Sequence, residues 1–280
     1  MGTIIHHYTN IDVLALILKN RTLRFTRLDQ VDDKEESNFV CNGVNLGPYT
    51  FISCWTESKE ESIPMWKMYT KEKWGVRLSF EKEGMFKTYI EDVREHNGVR
   101  ISKAEPIISL IPPEERWSQK DYIPPIVTED YDGCNFYRKI DYVDDIKPYA
   151  NNSVIINAKN NTLGITVNTD KVGRYKHKRW SFQEESRFVL FFMPGNPLAL
   201  VNDKNYFMEH KRMINEVINN KKLDFSYYYM CLSEEAFDHL VITVSPLCDE
   251  AQWTIVEALR DKYAPNAKVQ KSNLTGKLAK

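Results

Sequence analysis

The segment 186–193, SRFVLFFM, constrains the fold more than any other stretch: past its Arg it is six apolar residues in a row. β-branched and aromatic residues fit an extended, covered backbone, so this reads as the strongest strand of the chain. Immediately before it stand Gln183, Glu184 and Glu185. If the extended backbone starts at Gln183, residues 183, 185 and 187 share one face, with 184 and 186 on the other. Gln183, Glu185 and Arg187 then line up beside an apolar strand, with Trp180 just ahead. A purely structural Glu185–Arg187 pair is the competing reading. A carboxylate so placed can also accept hydrogen bonds from sugar hydroxyls and stabilise an oxocarbenium ion, while the Gln amide binds an acceptor.

The other segments predict an α+β chain. Strands are expected at 3–9, 22–27, 50–58, 74–81, 136–145, 225–233 and 241–246, with a last short one at 267–274. Helices are expected at 11–20, capped by Asn10, at 63–71 with Pro64 near its start, and at 249–264. Residues 234–240 are helix-like, 29–37 form an acidic loop or short helix, and 165–172 is a candidate helix. The stretch 104–133, rich in Pro and charge, predicts a loop-like insertion, placed at about 100–135. No repeat or clear linker interrupts the 280 residues, so one domain over 1–280 is expected.

Hydrophobic residues make up 42% and charged residues 28%, an ordinary globular mixture that argues against wholesale disorder. A net charge of -1 supplies no global attraction for nucleic acid, so any such partner needs a local patch. The run GRYKHKRW, 173–180, offers one: four cations interleaved with aromatic rings suit phosphates and unstacked bases, although such runs are usually solvated loops. The five cysteines form no C-x-x-C pair, so reduced thiols in a cytosol are expected rather than a zinc or disulfide framework. The beginning MGTIIHHYTN lacks a signal-peptide pattern, its MG alone does not establish myristoylation, and no apolar run approaches the roughly 20 residues of a membrane span. The expected location is the cytoplasm.

H-x-x-x-H, H-E-x-x-H, P-loop, G-x-G-x-x-G and G-x-S-x-G patterns are all missing, and His177 and His210 have no obvious companions. No metal site is expected. On an extended 4–9, His7 shares a face with Ile5 and Thr9, while His6 and Tyr8 face the other way. Ser53 and Trp55, followed by a helix carrying Met65, Trp66 and Tyr69, suggest an aromatic-walled cleft for a flat heterocycle, with core packing as the alternative for the rings.

In order along the chain, HYT (7–9), LRF (23–25), DDKEE (32–36), SCWTE (53–57), MWKMY (65–69), GVRLSF (75–80), YVDD (142–145) and Trp180 with Gln183, Glu185 and Arg187 resemble a widespread bacterial domain family of formerly unknown function. That family is often found beside phage-defence and toxin–antitoxin genes, and it is similar to a divergent branch of the ADP-ribosyltransferases. The resemblance implies an ADP-ribosyltransferase-like split β-sandwich with NAD+ in the cleft between two small sheets. It implies Glu185 as the catalytic glutamate, with Gln183 and His7 beside it. His7, Tyr8, Thr9, Arg24, Ser53, Trp66 and Tyr69 would contact the dinucleotide, Arg24 at the pyrophosphate and Trp66 or Tyr69 on nicotinamide. Gln183 stands where the family has its first Glu, a variant used when the acceptor is not arginine. Asp32 and Lys34 replace the family's Asn and Pro.

The implied activity is transfer of ADP-ribose from NAD to a macromolecule, as an intracellular toxin or anti-phage effector neutralised by an antitoxin protein. RNA or DNA is the favoured acceptor, on the strength of 173–180. A non-catalytic sensor of a defence system and an NAD glycohydrolase are the alternatives.

Overall fold

The computed structural model describes residues 2–278, apart from 97, 98, 134, 160, 161 and 203. Nine strands build one mixed sheet. In chain order they are β1 (Ile4–Asn10), β2 (Thr22–Arg27), β3 (Thr50–Thr56), β4 (Gly75–Glu81), β5 (Tyr137–Lys139), β6 (Glu185–Phe191), β7 (Tyr227–Cys231), β8 (Val241–Val244) and β9 (Lys268–Lys271). The spatial order is β5-β6-β3-β1-β4-β8-β9; β2 also pairs with β3, and β7 with β2. Only β8 and β9 run parallel. The apolar strand β6 is internal, as its composition demands, paired to β3 from Glu185↔Thr56 to Phe191↔Thr50.

The other edge of β3 is shared by two partners. β2 meets it at Phe51 and Ile52, and β1 meets it at Thr56 alone, through His6. Ser53, Cys54 and Trp55 therefore have no ladder partner on that side. Beyond the gap, β1 pairs fully with β4, from Ile4↔Glu81 to Asn10↔Gly75. The two small sheets expected from the resemblance are thus one continuous sheet with a divided edge.

One face of β6 carries Phe188 into a cluster of rings: Phe86, Phe136 and Tyr137 each lie 5.0 Å from it, centroid to centroid. The first helix, α1 (Ile11–Asn20), buries Ile11, Leu14, Ile17 and Leu18 and stops at Arg21, whose φ of 54° is left-handed. The acidic segment yields a one-turn helix, α2 (Lys34–Ser37), capped by Asp33, whose carboxylate accepts from the Glu35 and Glu36 amides. α3 (Ile63–Tyr69) starts at a Ser62 cap with Pro64 in its first turn. A longer helix, α4 (Tyr206–Ile218), and a final one, α5 (Glu250–Tyr263) with a capping box from Asp249, complete the main elements.

Three segments depart from the sequence reading. The candidate helix at 165–172 is in part a strand, Thr162–Val167, paired antiparallel with Val154–Lys159; β-branched Ile165, Thr166 and Val167 favour that state once a partner is at hand. The Pro-rich stretch begins inside a hairpin of Tyr89–His96 and Val99–Ser109, and its later Tyr122–Ile123 pairs with Met193–Pro194. The strand expected over 136–145 is broken in two: Tyr137–Lys139 joins β6, whereas Asp141–Val143 leaves the sheet to pair in parallel with Tyr175–His177.

Candidate active site

A cavity of about 520 Å³, within the usual range for ligand pockets, opens at the divided edge. Its wall takes residues from β1, β2, β3, α3 and the approach to β6, including His7, Arg24, Ser53, Tyr69, Lys176, Gln183 and Glu185. The two groups nominated first from sequence, His7 and Glu185, both contribute to it.

His7 fills the gap in the ladder. Its Nδ1 lies 2.8 Å from the Cys54 carbonyl oxygen, which can only accept, so Nδ1 carries the proton. Burial, partly offset by that carbonyl and reinforced by Arg24, pulls the His7 pKa below its ordinary value. The ring is therefore neutral at pH 7, with Nε2 as an acceptor, and it rests 5.1 Å from Trp55. Trp55 is fixed in turn by a 3.0 Å bond from its Nε1 to Ser53 Oγ.

Glu185, 6% exposed, lines the same cavity. Gln183 reaches it by a different route from the expected strand. Lys178–Gln183 is a 3-10 turn, and Glu184, left-handed at φ 42°, swings the chain into β6. Gln183 and Glu185 still converge, because Lys176 Nζ donates to both, at 2.6 Å to Gln183 Oε1 and 2.8 Å to Glu185 Oε2. The Gln183 amide then donates to the Tyr69 hydroxyl. On its far side Glu185 accepts from Arg187 Nε, and Arg187 grips Glu36 of α2 with both terminal nitrogens.

This buried row of alternating charge, Glu36, Arg187, Glu185 and Lys176, explains the ionisation of the site. Burial pushes the Glu185 carboxyl up, but Arg187 and then Lys176 outweigh it and hold the pKa down at about 2. For Glu36, burial prevails over Arg187 and the more weakly felt Lys176, and the pKa is raised. Glu185 is the carboxylate kept ionised.

The remaining nominees divide. Arg24 is exposed at the rim, its guanidinium 4.8 Å from the Tyr227 ring, and Thr9 contributes to the wall. Tyr8 borders the cavity, yet its hydroxyl is engaged, accepting from the Ser62 amide at 3.0 Å. Trp66 is a correction: 3% exposed and absent from the wall, it packs edge-on against Tyr8 and donates to Glu61. Core packing takes this ring. Trp180 and Trp55 line the cavity instead.

The basic run 173–180 is also corrected. Arg174, Lys176, Lys178 and Arg179 each pair with a carboxylate, of Asp141, Glu185, Asp144 and Glu35 respectively. Their field is cancelled locally, so the run provides no free positive patch. Sequence reasoning missed Lys176 and Glu36 as members of the site; the alternation of the run hid which cation turned inward.

Among the described residues no group of three His, Cys, Asp or Glu side chains can hold a metal ion, and no helix is long and apolar enough to cross a membrane. Cys41, Cys54, Cys231 and Cys248 are free thiols; Cys134 lies outside the described residues. No protein-family model, no curated protein and no solved structure matches the chain.

Proposed function

We infer that the cavity binds NAD and that the protein is an NAD-dependent ADP-ribosyltransferase. The observation carrying this reading is that a neutral imidazole and an ionised, buried carboxylate line one ligand-sized cavity at a divided sheet edge. The divided edge also supports an ADP-ribosyltransferase-like arrangement, in which the dinucleotide lies across the split.

In this reading Glu185 accepts a hydrogen bond from a hydroxyl of the nicotinamide-side ribose. As the C1′–N1 bond breaks, its electron pair stays with the ring nitrogen and neutral nicotinamide leaves. The positive charge passes to the ribose oxocarbenium ion, which the nearby carboxylate stabilises. The acceptor's lone pair closes on C1′ and its proton goes to solvent. His7 Nε2 takes a donor from the ribose or carboxamide, Arg24 meets the pyrophosphate, and Tyr69 or Trp180 stacks on the nicotinamide.

The acceptor is a macromolecule. With the 173–180 cations neutralised, charge no longer favours nucleic acid, and the role of intracellular toxin or anti-phage effector with an antitoxin partner rests on the resemblance alone. Radiolabelled NAD+ added to cell lysate tests the whole reading: label should enter a polymer, be removed by one of nuclease and protease while surviving the other, and vanish with Glu185→Gln. Free ADP-ribose with no labelled polymer makes the protein an NAD glycohydrolase.

One observation favours a second reading. Both oxygens of Glu185 already accept from cations, as in a purely structural ion pair. A non-catalytic sensor would bind NAD without consuming it, and its cellular phenotype would survive Glu185→Ala.

A further inference from the structure

Lys176 and Arg187, the two cations of the buried charge row, both border the cavity. Lys176 is 6% exposed; its ammonium donates to Gln183 and Glu185, and lies 5.1 Å from the centre of the Trp180 ring. Within the row, Lys176 and Arg187 each hold one oxygen of Glu185. Arg187 is locked between Glu36 and Glu185 and is 1% exposed. Lys176 is therefore the cation that can be exchanged.

We propose that Lys176 is a resident counter-ion which competes with the positive charge of the ligand for Glu185, and so sets the preference of the cavity between cationic and neutral rings. This rests on the NAD reading for the identity of the ligand. A pyridinium ring approaching Glu185 supplies a unit positive charge. The ammonium then lets go of the carboxylate and keeps the face of Trp180, where a cation remains favourably placed. Glu185 keeps a cationic partner in place of the ammonium throughout, which avoids leaving that buried carboxylate short of a counter-charge. A neutral ring brings no charge, so Lys176 stays on Glu185 and the ring binds beside it. The exchange also runs backwards: once the acceptor has closed on C1′ and neutral nicotinamide has left, no ligand charge remains beside Glu185 and the ammonium returns to it.

The test compares NAD+ with NADH, and 1-methylnicotinamide with nicotinamide, by calorimetric titration of the intact protein. Lys176→Met keeps the length of the stem and removes its charge. It should tighten the two cationic probes about tenfold and change the two neutral ones by no more than about twofold. Equal changes for cationic and neutral probes, or weaker binding of the cations, overturn the proposal. Lys176→Gln, which retains a donor toward Gln183 and Glu185, must give the same selective gain, and it serves if the Met variant fails to fold. If neither NAD+ nor NADH binds, the NAD reading falls by itself. The methylnicotinamide pair then decides the counter-ion role, and an absence of binding by the cation overturns that too.

Discussion

At the scale of single residues, the site is governed by which charges are paired. Removing the carboxylate by Glu185→Gln should lower transfer by roughly 100- to 1000-fold, the cost typical of losing one transition-state stabiliser, as read from single-turnover rates with labelled NAD+. The same residue bears on acid stability. Its folded pKa, about 2, lies below the ordinary carboxylate value, so its contribution is present above about pH 4.5 and is lost as the pH falls toward 2. His6 acts earlier. Burial, then Arg77, lowers its pKa to about 3, so the unfolded chain takes up a proton that the folded one refuses, and stability declines as the pH drops below about 6.5. Urea midpoints measured from pH 8 to 3 should show that early decline, and His6→Gln should reduce it, leaving the part due to His7. Gln183 and Glu185 were legible in the sequence because polar groups beside an apolar strand need a reason. Glu36, which joins the row through Arg187, was not, since 149 positions separate it from Glu185 and only the fold closes that distance.

At the scale of elements, α2 has a single turn and cannot persist alone, because nucleating a helix costs more than one turn returns. It is held by its Asp33 cap and by the grip of Arg187 on Glu36, which ties it to β6. Glu36→Ala should cost about 3–5 kcal/mol in urea unfolding, because it leaves Arg187 buried with one carboxylate fewer. A value below about 1 kcal/mol would mean that α2 is held mainly by its cap. Helices with caps and periodic apolar faces, such as α1 and α5, could be read directly. The segment 162–167 could not, because its state depends on finding 154–159 as a partner. The end of the Lys178–Gln183 turn was equally hidden: nothing in Phe-Gln-Glu-Glu announces a left-handed Glu184.

For the whole molecule, the rings around Phe188 pack the sheet against the segments that follow β4 and precede β5. Phe188→Ala should destabilise the protein by about 3–5 kcal/mol in chemical denaturation, in keeping with large-to-small changes at fully buried rings. The nine strands were nearly all recognisable as strands, yet their order was not. Pairing in a sheet is non-local, and identical alternation serves an edge, an interior position or a divided ladder equally well. Hence the resemblance implied two small sheets where these nine strands share one.

The seam in that sheet has a mechanical consequence. On one side of β3, a lone bridge at Thr56 and the imidazole on the Cys54 carbonyl are what join it to β1. The compliance of the molecule is therefore concentrated along the line where a dinucleotide would lie. Breathing motions should widen and narrow the cavity before they disturb either flank. In deuterium-exchange mass spectrometry, peptides spanning 53–55 should take up label sooner than those from β4 or β6, and an occupant stretched across the seam should slow them most.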